Sequence, residues 1–245
     1  MHLSKRLSTI ASLVPRGAKL ADVGCDHGLL SISLLREGRI QRAFCMDINR
    51  EPLKRAERNA REAGFPASGD SGEICFILSD GFRELTPGAA DTAVIAGMGG
   101  DLMTRILSEA DPLLLAGIKA FILSPQSETG RFRSFLLSAG YEIYEERMVL
   151  EEGKFYPVIC ARRAGEQTDR AFSPKNPADS YTAAELRYGR YLLQDKNPVL
   201  HQLLRKEKKE TMQILSRKGI PEIRRGELID KLSVIEEAIG CYEMQ

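Results

Sequence analysis

Hydrophobic positions in the first two-thirds of the chain come in short unbroken runs rather than in strict alternation. "KLADVGC" from Lys19, "RAFCMDI" from Arg42, "ICFILSD" from Ile74, "DTAVIAG" from Asp91 and "KAFILSP" from Lys119 are each rich in apolar and β-branched residues. A strand that is apolar on successive positions is buried on both faces, as in a parallel sheet covered by helices. Between most of these runs the apolar residues take helical spacing: Leu29, Ile32 and Leu35; Leu53, Ala56 and Ala60; Leu102, Ile106 and Leu107; Phe132, Phe135 and Leu136. Alternating β and α segments predict a doubly wound α/β domain.

The alternation stops at Tyr141. "YEIYEERMVLEEGKFYPVICARR" reads as two strands turning near Glu152 and Gly153, with no room for a helix between them. An antiparallel hairpin at the sheet edge is therefore expected. After Arg163 the polar, proline-containing stretch "AGEQTDRAFSPKNPADSYT" reads as a linker or irregular loop, and only helices are expected beyond it. One should begin after Asn197, because proline at 198 suits a first helical turn, and run to Lys218. Gly219 and Pro221 break it, and a second runs to about Gly240. In the second, Leu228, Leu232, Ile235 and Ile239 form a heptad seam; in the first, Leu200, Leu203, Leu204, Ile214 and Leu215 make a weaker stripe. A short connection between two such helices implies an antiparallel helical hairpin. The expected division is a domain over 1–163 and a helical one over 164–245.

Charge adds one point. The 245 residues carry a net charge of +1, so contact with nucleic acid requires local asymmetry rather than global basicity. Two regions supply it. His2, Lys5, Arg6, Arg16 and Lys19 precede the first acid, Asp22. In the helical hairpin, Arg205, Lys206, Lys208, Lys209, Arg217, Lys218, Arg224 and Arg225 outnumber Glu207, Glu210 and Glu222. Cys25, Cys45, Cys75, Cys160 and Cys241 are scattered without a C-x-x-C pair, which fits reduced thiols in the cytoplasm rather than a disulfide frame or a metal site. No window reaches the ~18 apolar residues of a membrane span.

The candidate chemistry lies at the strand ends. In an open α/β sheet the ligand binds outside the carboxyl ends of the strands. Dinucleotide enzymes place G-x-G-x-x-G after the first strand, so that backbone amides hold a pyrophosphate. Here that turn reads "DVGCDHG", Asp22 to Gly28, with Asp26 between the glycines. A carboxylate repels a pyrophosphate and attracts an ammonium. A phosphate-free, positively charged nucleoside is the fitting ligand, and S-adenosylmethionine is one. Asp47, about twenty residues on, is placed to accept from ribose hydroxyls, and Asp80 from an adenine amino group. The fourth strand ends in "AGMGG", where glycines let an acceptor approach the backbone; the fifth ends in "SPQSE", where Ser124 and Gln126 can meet a base edge.

"LSKRL" at Leu3 to Leu7, "ADVGCDHG", "IAGMGG" and the "GK-x-Y" turn at Gly153 to Tyr156 resemble the bacterial tRNA (adenine(22)-N1)-methyltransferases of the TrmK type. The motifs cover residues 3 to about 160; beyond them the likeness is architectural. The resemblance implies a Rossmann-like sheet of the class I methyltransferase type followed by a helical coiled-coil domain. It also implies S-adenosylmethionine as cofactor and tRNA as partner, and the cysteine spacing gives no reason to expect a metal. The cofactor residues are then Asp22, Gly24, Cys25, Asp26, Gly28, Asp47, Ile48, Ser79, Asp80, Gly81, Ala96, Gly97 and Met98. Lys5, Arg6, Gly99, Ser124, Pro125, Gln126, Tyr156, Lys208 and Lys209 are expected to meet the RNA, and Asp26 and His27 to serve the reaction. Two positions depart from the family pattern: Ser124-Pro125-Gln126 replaces Gln-Pro-Asn, and Pro157 replaces a glutamate after the turn tyrosine. The implied reaction is direct attack of adenine N1 on the sulfonium methyl group, after the base is exposed from its pair or stack. Competing expectations are methylation of another RNA or a small molecule, and a non-catalytic RNA- or protein-binding scaffold.

Overall fold

A computed structural model describes residues 3–65, 72–164 and 180–243. His2 and most of the expected linker, 165–179, lie outside the described residues. In chain order the elements are α1 (Lys5–Leu13), β1 (Ala18–Val23), α2 (Leu29–Arg36), β2 (Ile40–Asp47), α3 (Arg50–Glu62), β3 (Ile74–Leu78), β4 (Thr92–Ala96) and α4 (Gly100–Glu109). They continue with α5 (Pro112–Gly117), β5 (Ala120–Ser124), α6 (Thr129–Ser138), β6 (Tyr141–Glu151), β7 (Lys154–Arg163), α7 (Ala183–Tyr188), α8 (Arg190–Gln194), α9 (Pro198–Leu215) and α10 (Glu222–Glu243).

The strands form one seven-stranded sheet in the order β3-β2-β1-β4-β5-β7-β6. β1 to β5 are parallel; β7 pairs antiparallel with β5 and with the edge strand β6. The five apolar runs are these parallel strands, and β4 and β5 are buried almost throughout because helices cover both faces. One layer of core centres on Met46, Ile95, Met103, Phe121 and Phe132, the other on Ile10, Leu20, Ile32, Leu34 and Ile122. The chain reverses between β1 and β4, so the first turn opens into the crevice at the switch in strand order. The helical spacing had not marked α1; its N-cap is Ser4, which accepts from the Leu7 N–H. Lys5 Nζ donates to the Leu150 carbonyl at 3.3 Å and the Arg6 N–H to Glu151 Oε1 at 3.1 Å, which tie α1 to β6.

At the other end, α9 and α10 run antiparallel. Asn197 at the start of α9 accepts from Tyr242 Oη near the end of α10, and Glu207 further along α9 pairs with Lys231 earlier on α10. Of the expected seam, Leu228 and Ile235 are buried and Leu232 and Ile239 half-buried, with Ala238 closing the contact. The first helix ends at Leu215, short of Lys218, where Arg217 N–H already turns back to the Ile214 carbonyl. Two short helices that the reading had not separated, α7 and α8, join this pair to the sheet. A capping box between Thr182 and Glu185 starts α7, and Gly189 at φ 102° makes the corner into α8.

That corner rests on a buried ion pair. Arg133 on α6 and Glu146 on β6 are each 1% exposed and meet at 2.8 Å. Arg133 Nη1 donates to the Leu186 and Arg187 carbonyls, both at 3.0 Å, and Glu146 Oε2 accepts from the Tyr191 N–H at 3.1 Å. Each charge is thereby desolvated but hydrogen-bonded, which is the condition under which such a pair is tolerated. A Cβ at Gly189 would stand 2.6 Å from both Glu146 carboxylate oxygens, so only glycine fits the corner. Removing one member strands the other: Arg133→Met is expected to cost about 3–5 kcal/mol of unfolding free energy, read by urea denaturation; a loss below about 1 kcal/mol would show that the corner does not depend on the pair.

Candidate active site

Just after β1 the backbone enters the left-handed region three times, at Gly24 (φ 75°), Asp26 (φ 49°) and Gly28 (φ 68°). Asp is among the few residues with a side chain that tolerate this conformation. The turn is held against β2, since the Gly24 and Cys25 N–H groups both donate to the Met46 carbonyl, at 2.8 and 3.0 Å. A Cβ on Gly24 would meet Met98 Cε at 2.1 Å, so the tip of β4 closes over this glycine and leaves no space for a side chain. Gly28 begins α2, where a Cβ would stand 3.0 Å from the Ala56 Cβ of α3.

A cavity of about 490 Å³ opens over this turn, a size usual for small-molecule sites. Of the residues read as cofactor-binding, Asp22, Gly24, Cys25, Asp26, Asp47, Ile48, Ser79, Asp80, Gly81, Ala96, Gly97 and Met98 all line it, and Gly28 does not. His27 lines it beside Asp26, with Nε2 3.5 Å from the Asp26 carboxylate. The Asp26 side chain is 72% exposed, so its charge faces the mouth rather than the core.

The other acids divide by environment. Asp22 is buried and accepts from Ser31 Oγ at 2.7 Å; burial pushes its carboxyl up to about 6, partly opposed by that hydrogen bond. Asp47 accepts the Asn49 N–H at 2.8 Å, so it shapes the start of α3 while facing the cavity. Asp80 receives both Arg105 guanidinium nitrogens, at 2.9 and 3.0 Å, and the hydrogen bonds from Arg105 hold its carboxyl below the usual range. Arg105 and Asn49 line the cavity and were missed by the sequence reading. A lone charge on an amphipathic helix looks like a solvated face until the fold brings an acid opposite it. Cys25 is no thiolate: a hydrogen bond with Cys45, then burial, push its pKa up. Ser79 is committed to structure, donating to the Gly81 carbonyl at 2.9 Å and accepting the Glu84 N–H. Among the described residues, no cluster of three or more His, Cys, Asp or Glu is arranged to hold a metal ion.

The residues expected on the RNA side separate. Arg6 lines the cofactor cavity itself. Gln126 lines both this cavity and a second, wider groove of about 1220 Å³ between the sheet and the helical hairpin; Tyr156 lines the second. Ser124 and Pro125 line neither. Ser124 Oγ is buried and donates to the Pro157 carbonyl at 2.9 Å, so the two departures from the family pattern touch one another. Gly99 caps α4 outside both cavities, and Lys5 is spent on the Leu150 carbonyl. Lys208 pairs with Glu236 at 2.9 Å and Lys209 is exposed; neither lines the groove, whereas Lys206 does.

Comparison with known proteins bears on the family and the fold. Residues 3–159 match the family described as "Methyltransferase domain". The chain is 30% identical over 245 residues to the Bacillus subtilis tRNA (adenine(22)-N(1))-methyltransferase, covering 98% of each protein. The crystal structure of B. subtilis TrmK superimposes with a TM-score of 0.80 at 28% identity, covering 97% of this chain and 99% of that one. Streptococcus pneumoniae Sp1610, solved in complex with S-adenosyl-L-methionine, superimposes with a TM-score of 0.81 at 29% identity, covering 97% and 99%. In sequence and fold, the chain belongs to the tRNA (adenine(22)-N1)-methyltransferase family of class I methyltransferases.

Proposed function

We propose that this protein methylates N1 of adenine 22 in tRNA, with S-adenosylmethionine as the methyl donor. The observation that carries the reading is the ring of acids. Asp26, Asp47 and Asp80 come from the ends of β1, β2 and β3 and face one cavity. No pyrophosphate suits such a ring, whereas a cationic adenosine compound does. Asp47 faces the ribose, Asp80 with Arg105 the adenine edge, and Asp26 the ammonium. Bound there, S-adenosylmethionine would supply its sulfonium methyl group to neutral adenine N1, with the neutral thioether of S-adenosylhomocysteine as the leaving group.

The chain's own work is then positioning and exclusion of water. Ala96 and Gly97 border the cavity on the β4 side, where small residues leave room for a flat base. Gln126 joins this point to the second groove, lined by Arg131, Lys154, Phe155, Tyr156, Arg187 and Lys206. Lys206 Nζ lies 5.8 Å over the Phe155 ring. Cations interleaved with aromatic rings suit an RNA strand entering with one base turned out. The helices α7 to α10 act as an arm for the tRNA, and the sheet domain that precedes them carries the chemistry. Methylation makes the base cationic, and His27 beside Asp26 receives a proton from it. A tRNA substrate and cysteines that form no disulfide support a cytoplasmic location.

The central experiment incubates the protein with labelled S-adenosylmethionine and unmodified tRNA transcripts, then analyses nucleosides. Label should appear in 1-methyladenosine and vanish when adenine 22 is replaced; label elsewhere, or none, would sink the reading. His27→Ala should lower kcat with tRNA by roughly 10²-fold or more at unchanged cofactor affinity, and wild-type turnover would remove His27 from the chemistry. Asp22, whose pKa stands near 6 in the folded protein, is protonated at pH 5 and ionised at pH 7. A cationic ligand favours the ionised form, so calorimetric affinity for the cofactor should rise over that interval. Asp22→Asn should match wild type at pH 5 and fall roughly tenfold behind it at pH 7; parallel pH profiles for the two proteins would contradict the coupling.

A further inference from the structure

We propose that Arg6 holds the α-carboxylate of S-adenosylmethionine; this rests on the reading that the cavity takes that cofactor. Strand order decides which end of the ligand lies where. β2 and β3, with Asp47 and Asp80, stand on one side of β1, and β4 stands on the other. With adenosine against the two acids, the amino-acid tail crosses the β1 turn toward β4. Arg6 reaches that side from α1. Its Nη1 lies 3.8 Å from where a Cβ of Gly97 would be, with Gln126 Nε2 3.9 Å from the same point.

The guanidinium is held but incompletely satisfied. Its Cζ sits 5.0 Å over the Tyr156 ring, which fixes the plane and offers no lone pair to an N–H. The nearby Glu151 carboxylate accepts the backbone N–H of Arg6. Nη1 is buried and has no hydrogen-bond partner, although buried donors in folded proteins are nearly always paired. It lines a cavity whose ligand carries one acid group. A planar fork of N–H donors matches a carboxylate in geometry and charge. Arg6 and Asp26, both lining the cavity, therefore read the two charges of the amino-acid tail, the carboxylate and the ammonium. The sequence had pointed Arg6 toward RNA because it stands in a basic stretch ahead of Asp22.

The test uses the full-length protein and a ligand pair differing only in the carboxylate: S-adenosylmethionine and its decarboxylated form. Calorimetric affinities are measured for wild type, Arg6→Met and Arg6→Lys, with thermal midpoints to show that each variant is folded. Wild type should bind S-adenosylmethionine roughly 10- to 100-fold more tightly than the decarboxylated compound. Arg6→Met should bind the two equally, and Arg6→Lys should keep part of the preference, which preserves the test if the methionine variant does not fold. A wild-type ratio in the variants, or equal weakening of both ligands, overturns the assignment. A rise in KM for tRNA alone, with the ratio unchanged, overturns it in favour of an RNA contact. Failure of wild type to bind either compound would instead sink the cofactor reading itself.

Discussion

The turn after β1 is the constraint on which the site depends. Residues at positive φ alternate with others at 24, 26 and 28, and this folds the chain back so that two successive N–H groups reach one carbonyl on β2. The same geometry puts α2 over the sheet, brings Met98 down onto Gly24, and turns the Asp26 carboxylate outward. A glycine-rich turn that presented only amides would favour an anion. Placing an acid in the left-handed position reverses that preference without altering the fold around it.

Around this turn the acids are differentiated by their surroundings rather than by type. Asp22 is buried, Asp80 is neutralised by Arg105, and Asp26 is open to solvent. The cavity thus presents one carboxyl that burial makes reluctant to ionise, one already satisfied by a guanidinium, and one open to solvent beside His27. The helical arm is joined to the same body through Arg133 and Glu146, whose hydrogen bonds end on the α7–α8 corner. From that corner Arg187 and Tyr188 both reach Glu207 on α9. The wide groove beside Gln126 is therefore bounded by elements tied together by a buried ion pair and by the Glu207 contacts.

Much of this was legible along the chain. Unbroken apolar runs gave five parallel strands, the missing helix after Tyr141 gave the hairpin, and the heptad spacing of Leu228 and Ile235 gave the long helix pair. That the three acids share one cavity was legible for a related reason: in a parallel sheet the strand ends share one edge, so Asp26, Asp47 and Asp80 could be placed together from their positions relative to each run. The acceptor side was less so. Ser124 ends β5 as regularly as Asp47 ends β2, yet its hydroxyl is consumed by the Pro157 carbonyl, and proline has no N–H to occupy that part of the ladder. Lys5 and Arg6 are adjacent in a basic run, but a helix points neighbours about 100° apart. One meets the Leu150 carbonyl, and the other enters the cavity.

The sequence by itself determined the local periods, the punctuation by glycine and proline, and the type of charge at each strand end, because these are properties of neighbouring residues. Strand order, with β7 set between β5 and β6, was decided only in three dimensions. So were the pairing of Arg105 with Asp80, the latch between Arg133 and Glu146, and the entry of Arg6 into the cavity. Each joins side chains on different elements, and no period along a chain encodes which helix face will meet which strand. Packing and desolvation make that choice, pairing buried polar groups with whatever partner the assembled layers bring within reach.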